Sequence, residues 1–162
     1  MAITTYENPR FYKGPVLQLC TMRAKDSQTF QPGMFAHNTA TGVVINDHNC
    51  CRAEFLTAVN QPVATSSSDI LLYRIPSTDT KFYIGTSSAG NSVLANKKYI
   101  GKRLGIAVNA CIVTASIVNT SHTFLHVEEV MADIGVGRSL NTTSTVPGTF
   151  IVSVVQSSID AG

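Results

Sequence analysis

The sequence predicts an all-β fold, a small barrel or sandwich of about ten short strands behind an extended N-terminal arm. Three observations predict it. Short runs rich in Val, Ile, Thr, Phe and Tyr recur along the 162 residues, spaced roughly 8 to 12 residues apart and bounded by Gly, Pro, Asn, Asp or Ser. No long run keeps a helical period. Residues 28–44 (Q-T-F-Q-P-G-M-F-A-H-N-T-A-T-G-V-V) carry two turn signals among strand formers. Pro32 presets φ for the second position of a turn, and Gly33 supplies the positive φ that a type II turn needs next. Phe30 and Phe35 flank that reversal. Thr41-Gly42 makes the second turn.

The elements follow in order. Residues 1–15 contain Pro9 and Pro15, which oppose helix, and Tyr6, Phe11 and Tyr12,. They are expected to form an arm that orders against a neighbour, or else a lead-in packed on its own domain. The β-domain is expected over 16–156 and a tail over 157–162. Strands are expected at 16–22, 34–37 and 42–45. Residues 51–59 alternate as a strand but also fit two turns of helix, and strand is preferred. A loop is expected at 60–68, then strands at 69–75 and 81–86.

Residues 99–113 read as strand interrupted by Gly101 and Gly105, which mark a bulge or a close backbone approach. Residues 111–118 are apolar on both faces and read as a central strand. Strands at 123–131 and 149–155 complete the set. The stretches 28–44 and 99–107 both place Gly just before an apolar segment, yet no internal repeat is expected.

Apolar residues make up 44% of the chain and charged residues only 14%, below the usual quarter or so of a soluble domain. A chain of this length buries roughly 70% of its unfolded surface, enough for a core without metal or disulfides. Ser and Thr fill the polar positions, giving a neutral, hydroxyl-rich surface suited to extended protein contact. The net charge is +2, which argues against a nucleic-acid partner. The one dense basic cluster is Lys97, Lys98, Lys102 and Arg103. It reads as a solvated hairpin tip, or as a patch for an acidic protein partner. The apolar runs are far too short to span a membrane. Residues 1–15 lack the apolar core of a signal peptide, so synthesis in the cytosol with reduced thiols is expected. Cys20 and Cys111 then read as small buried hydrophobes, and the sequons at Asn119 and Asn141 mean little.

No cofactor or metal site is expected. His37 and the run Asp47, His48, Asn49, Cys50, Cys51 hold zinc-type donors, but adjacent cysteines point to opposite faces of a strand and the spacing fails. There is no G-x-S-x-G elbow. His126 beside Glu128 forms either an acid–base pair or, more ordinarily, a polar ladder, with His122 on the same face. Gly135-Val136-Gly137 lacks the third glycine and the βαβ setting of a dinucleotide site.

The motifs T-F-Q-P-G-M-F-A, T-G-V-V, Y-I-G-K-R-L-G-I-A-V-N-A and F-L-H-V-E-E-V together resemble the decoration (cement) proteins of tailed-bacteriophage capsids, over roughly residues 24–130. The resemblance implies a small β-barrel or β-tulip-like domain with a preceding arm. It also implies a non-enzymatic homotrimer on the capsid exterior that bridges neighbouring major capsid proteins. Tyr6, Phe11, Tyr12, Lys97, Lys98, Lys102 and Arg103 are the expected partner contacts. A jelly-roll coat or fibre protein is one alternative. A carbohydrate-binding β-domain is another, with Tyr73, Tyr83 and Tyr99 as platforms but no Trp.

Overall fold

The computed structural model describes residues 8–25, 27–58, 61–63, 69–86, 97–109, 112–131 and 149–155. They form thirteen strands: β1 (Arg10–Lys13), β2 (Gln18–Arg23), β3 (Gln28–Phe30), β4 (Phe35–Thr39), β5 (Gly42–Ile45), β6 (Phe55–Thr57), β7 (Gln61–Val63), β8 (Asp69–Arg74), β9 (Lys81–Gly85), β10 (Arg103–Asn109), β11 (Ile112–Ser116), β12 (Leu125–Met131) and β13 (Thr149–Val154). Among the described residues a single 3-10 turn, Lys97–Tyr99, precedes β10. The protein is all-β.

The strands build a six-stranded sheet, β1-β9-β13-β12-β10-β11, a five-stranded sheet, β2-β8-β6-β4-β5, and a two-stranded pair, β3-β7. All ladders are antiparallel. Neither large sheet closes into a barrel: a lone parallel bridge, Ala24 to Val43, joins the ends of the five-stranded sheet, and another, Thr86 to Ala115, joins the end of β9 to β11 in the six-stranded one.

Set β1 aside and the two large sheets are the same object twice. Numbering each set of five strands in chain order, β2, β4, β5, β6, β8 and β9 to β13 both run 1-5-4-2-3. In each, the parallel bridge runs from the residue after strand one to strand three. In each, a glycine ahead of strand two has left-handed φ, +85° at Gly33 and +86° at Gly101. The Gly33 amide donates to Thr57 O (2.9 Å) and the Thr57 amide to Met34 O (2.8 Å). The Gly101 amide donates to Val127 O (2.8 Å) and the Val127 amide to Lys102 O (3.0 Å). The entry to strand four and the exit of strand five match as well, Ile75 N to Glu54 O and Val155 N to Phe124 O, each 3.0 Å. A structural repeat therefore exists where none was expected. Residues 31–39, within 28–44, hold the place in the first copy that 99–107 hold in the second.

Other differences follow from pairing. Phe30 and Phe35 do not flank a hairpin: β3 pairs with β7, whereas β4 pairs with β5 and β6. The Pro32-Gly33 turn instead passes the chain between sheets, so Phe30 enters one core and Phe35 the other. β7 lies inside the expected loop, and β6 shortens the strand expected over 51–59 to three residues. β11 ends its sheet order instead of sitting centrally, yet Val113 and Ala115 are buried because the Thr86 bridge closes over them. Within the expected arm, residues 10–13 are an edge strand on β9, for Phe11 registers with Phe82. Residues 1–7, the tail over 157–162 and Cys111 lie outside the described residues.

The first repeat closes on a core of Ala24, Phe30, Ala36, Val43, Phe55, Ile70 and Leu72. The larger core fills the second repeat with Phe82, Ile84, Leu104, Leu125, Phe150 and Val152 among others. It also takes in Met34, Phe35 and Leu56 from the other face of the first. Phe35 sits edge-on to Phe82 and Phe124, at centroid distances of 5.7 and 5.3 Å. This packing joins the repeats.

Candidate partner-binding surface

Cross-strand partners in an antiparallel sheet share a face. The registers Phe35–Leu56, Leu56–Tyr73 and Tyr73–Leu19 therefore define one row across β4, β6, β8 and β2. Its exposure climbs along the row: Phe35 0%, Leu56 5%, Tyr73 36%, Leu19 59%. The row begins under the second repeat and runs out from it into solvent. An open groove of about 520 Å³ adjoins it, lined among others by Phe11, Val16, Leu17, Leu56 and Tyr73. Gly33 lies at its edge, where a Cβ would fall 2.6 Å from the Asn8 Cβ. Phe11 and Val16 are exposed. Exposed apolar side chains grouped in this way mark contact surfaces, whereas scattered ones do not.

The matching row of the second repeat is Arg103, His126, Ser153 and Lys81. It is polar: Arg103 is exposed, His126 and Lys81 are half-buried and Ser153 is buried. Glu128 is the extra residue of a β-bulge, since Val127 registers with Val152 but Glu129 with Ile151,. Its Oε1 accepts from Ser153 Oγ at 2.7 Å, pairs with His126 Nδ1 at 3.1 Å and lies 3.5 Å from Lys81 Nζ. Partial burial is the largest single influence and opposes ionisation. The Ser153 and His126 hydrogen bonds and the Lys81 charge together outweigh it, so the carboxyl titrates below its ordinary value,. The pair is thus embedded in a polar ladder. His122 precedes β12 and does not share its face.

Of the expected contacts, Lys97, Lys98, Lys102 and Arg103 are all exposed. Among the described residues none of their side chains makes an ion pair, and Lys98 Nζ lies 5.3 Å over the Tyr99 ring. Tyr99 itself packs on Phe150. Phe11 faces the groove. Tyr12 stacks on Tyr83 with centroids 4.6 Å apart and serves the fold. Tyr6 lies outside the described residues. The expected contacts did not include Val16, Leu19 and Tyr73, which are the exposed apolar residues here.

Of the zinc-type donors, His37, Asp47 and Cys50 are engaged within the turn. Buried Asn46 accepts from His37 Nδ1 at 2.6 Å and donates to Arg52 O at 2.6 Å, pinning the 46–52 turn. Cys50 Sγ lies 3.5 Å from Asp47 Oδ1, and burial pushes its thiol up. Among the described residues no three of His, Cys, Asp and Glu gather as a metal set, and no helix is long and apolar enough to cross a membrane.

No protein-family model, no curated protein and no solved structure matches this chain.

Proposed function

We propose that this chain is a structural virion protein that binds the outside of a tailed-phage capsid and cements it, bridging neighbouring major capsid proteins as a homotrimer without enzymatic activity or cofactor. One observation carries the reading: two exposed patches of different chemistry, one apolar and one cationic, lie on the two members of the repeat pair. The first repeat bears the apolar row ending at Tyr73 and Leu19, and the second bears the cationic group Lys97, Lys98, Lys102 and Arg103. A clamp needs at least two such surfaces and a stiff frame between them. The shared Phe35, Phe82 and Phe124 packing supplies the frame. Repetition on a lattice then turns modest contacts into avidity. The barrel or tulip reading belongs here too: each repeat is a curled sheet whose ends meet at one bridge.

The test is co-sedimentation of the purified chain with expanded capsids that lack it. Saturable binding is expected. Reversing charge at Lys98 and Lys102 to Glu should weaken it, mostly through a slower and less salt-sensitive association. Failure of the wild-type chain to sediment with capsids would end the proposal.

A further inference from the structure

We propose that Cys50 and Cys51 form a reversible dithiol site, which a small-molecule disulfide of the glutathione class closes into a bond between the two neighbouring sulfurs. Adjacent side chains in a strand point to opposite faces, which would keep their sulfurs apart. That rule does not reach this pair. β5 ends at Ile45 and β6 begins at Phe55, and residues 50–54 belong to neither strand. Cys20, Cys50 and Cys51 are all thiols. Cys51 is exposed and Cys50 half-buried. The two neighbours also sense each other. Burial is the main reason that the Cys50 thiol lies above its ordinary value, and the charges of Asp47 and Cys51 push the same way against a backbone hydrogen bond from Asp47,.

Exposure divides the roles. A dissolved disulfide, R–S–S–R, meets Cys51 first. The Cys51 thiolate attacks one of its sulfurs, forming Cys51–S–S–R and releasing one RS⁻. The Cys50 thiolate then attacks the Cys51 sulfur, closes the bond and expels the second RS⁻. The two cysteine protons pass through solvent to the departing thiolates. Two cysteine thiols are oxidised and one disulfide is reduced to two thiols. The bond formed is easily undone. Consecutive Cα atoms stand about 3.8 Å apart, short of the roughly 4.4 Å at which ordinary disulfides begin. A bridge that departs from ordinary geometry is more reducible, so the site opens and closes with the surrounding thiol–disulfide balance. Closure acts on a tied turn. Cys50 Sγ gives up its S–H contact to Asp47 Oδ1, now 3.5 Å away. The Asn49 amide donates to that same carboxylate oxygen at 2.8 Å. The Asn119 side chain, from the second repeat, donates to His48 O at 2.9 Å. The sulfur chemistry therefore sits in a turn that links the two repeats.

Trypsin isolates the site, because residues 26–52 hold no Lys or Arg before Arg52 and no cysteine besides this pair. The folded chain is incubated with oxidised glutathione, quenched in denaturant with iodoacetamide, digested and weighed by mass spectrometry. A second aliquot is treated with dithiothreitol before the quench. The expected result is a 26–52 peptide lighter by two hydrogen atoms that takes up no iodoacetamide. After dithiothreitol both cysteines should be alkylated. Cys20→Ser should close as the wild type does, and Cys51→Ser should not close. A wild-type peptide still alkylated at both cysteines after oxidised glutathione overturns the inference. So does one that stops at the glutathione adduct, and so do covalent dimers linked through Cys51. The capsid reading stands apart, since none of these results bears on it.

Discussion

Gly101 and Gly105 sit four residues apart and are needed for opposite reasons. Gly101 has φ +86° with nothing within 4 Å of where a Cβ would stand, so its need is purely backbone. Gly105 lies within β10, and its need is purely space. A Cβ there would run into His122 O and come within 2.6 Å of Asn119 Cγ. Asn119 also bonds Ile106 O and His48 O through its side-chain nitrogen, so it cannot easily move. Gly101→Ala should therefore cost about 1 kcal/mol, the left-handed penalty alone. Gly105→Ala should cost more, about 2 to 3 kcal/mol, because backbone must give. Urea melts of the two variants check the order. The sequence marked both positions as bulge or close approach. Which was which depended on a neighbour fourteen residues away.

At the scale of the element, the bulge in β12 decides the pH response. Glu128 is the unpaired residue, and it gathers Ser153, His126 and Lys81 around one carboxylate oxygen. Its folded pKa lies below the ordinary 4.5, so its contribution to stability is complete above that value and is lost as pH falls through the lower folded value,. Glu128→Gln should bring the variant's stability below wild type at neutral pH, with the gap narrowing once pH drops under about 4.5. Denaturant midpoints across the acid range measure it. A gap that stays constant with pH would mean the carboxylate charge is not what matters. The His126 and Glu128 pair was legible in sequence as i and i+2 on a strand. Ser153 and Lys81 were not, because they reach the pair only through the β13 and β9 registers.

Across the whole molecule, two cores share one sheet. Phe30 and Phe35 are both fully buried, five residues apart, but in different cores. Either truncation to Ala should cost about 3 to 5 kcal/mol. The consequences should differ in location. F35A removes the ring that touches Phe82 and Phe124 and should loosen the joint between repeats. F30A should open the first repeat and its β3-β7 cover. Hydrogen exchange resolves this. The F35A variant should lose protection in β9 and near Phe124, and F30A in β4 to β8. Equal loss everywhere in both variants would show that the repeats unfold as one unit.

The sequence by itself determined the class of fold and most strand positions, because period-two patterning and turn residues act locally. It also determined that residues 28–44 are a pivot, since Pro32 and Gly33 dictate a turn in any context. The tertiary structure alone decided the repeat. Inner positions of the two copies stay apolar, Ala36 with Leu104, Phe55 with Leu125, Leu72 with Val152. Outer positions diverge, because Phe35 and Leu56 are covered by the second repeat whereas Arg103 is exposed and His126 only half-buried. Phe35 stands where Arg103 does and Leu56 where His126 does. Burial acts on whichever face is covered, and which face is covered is a property of the assembled chain.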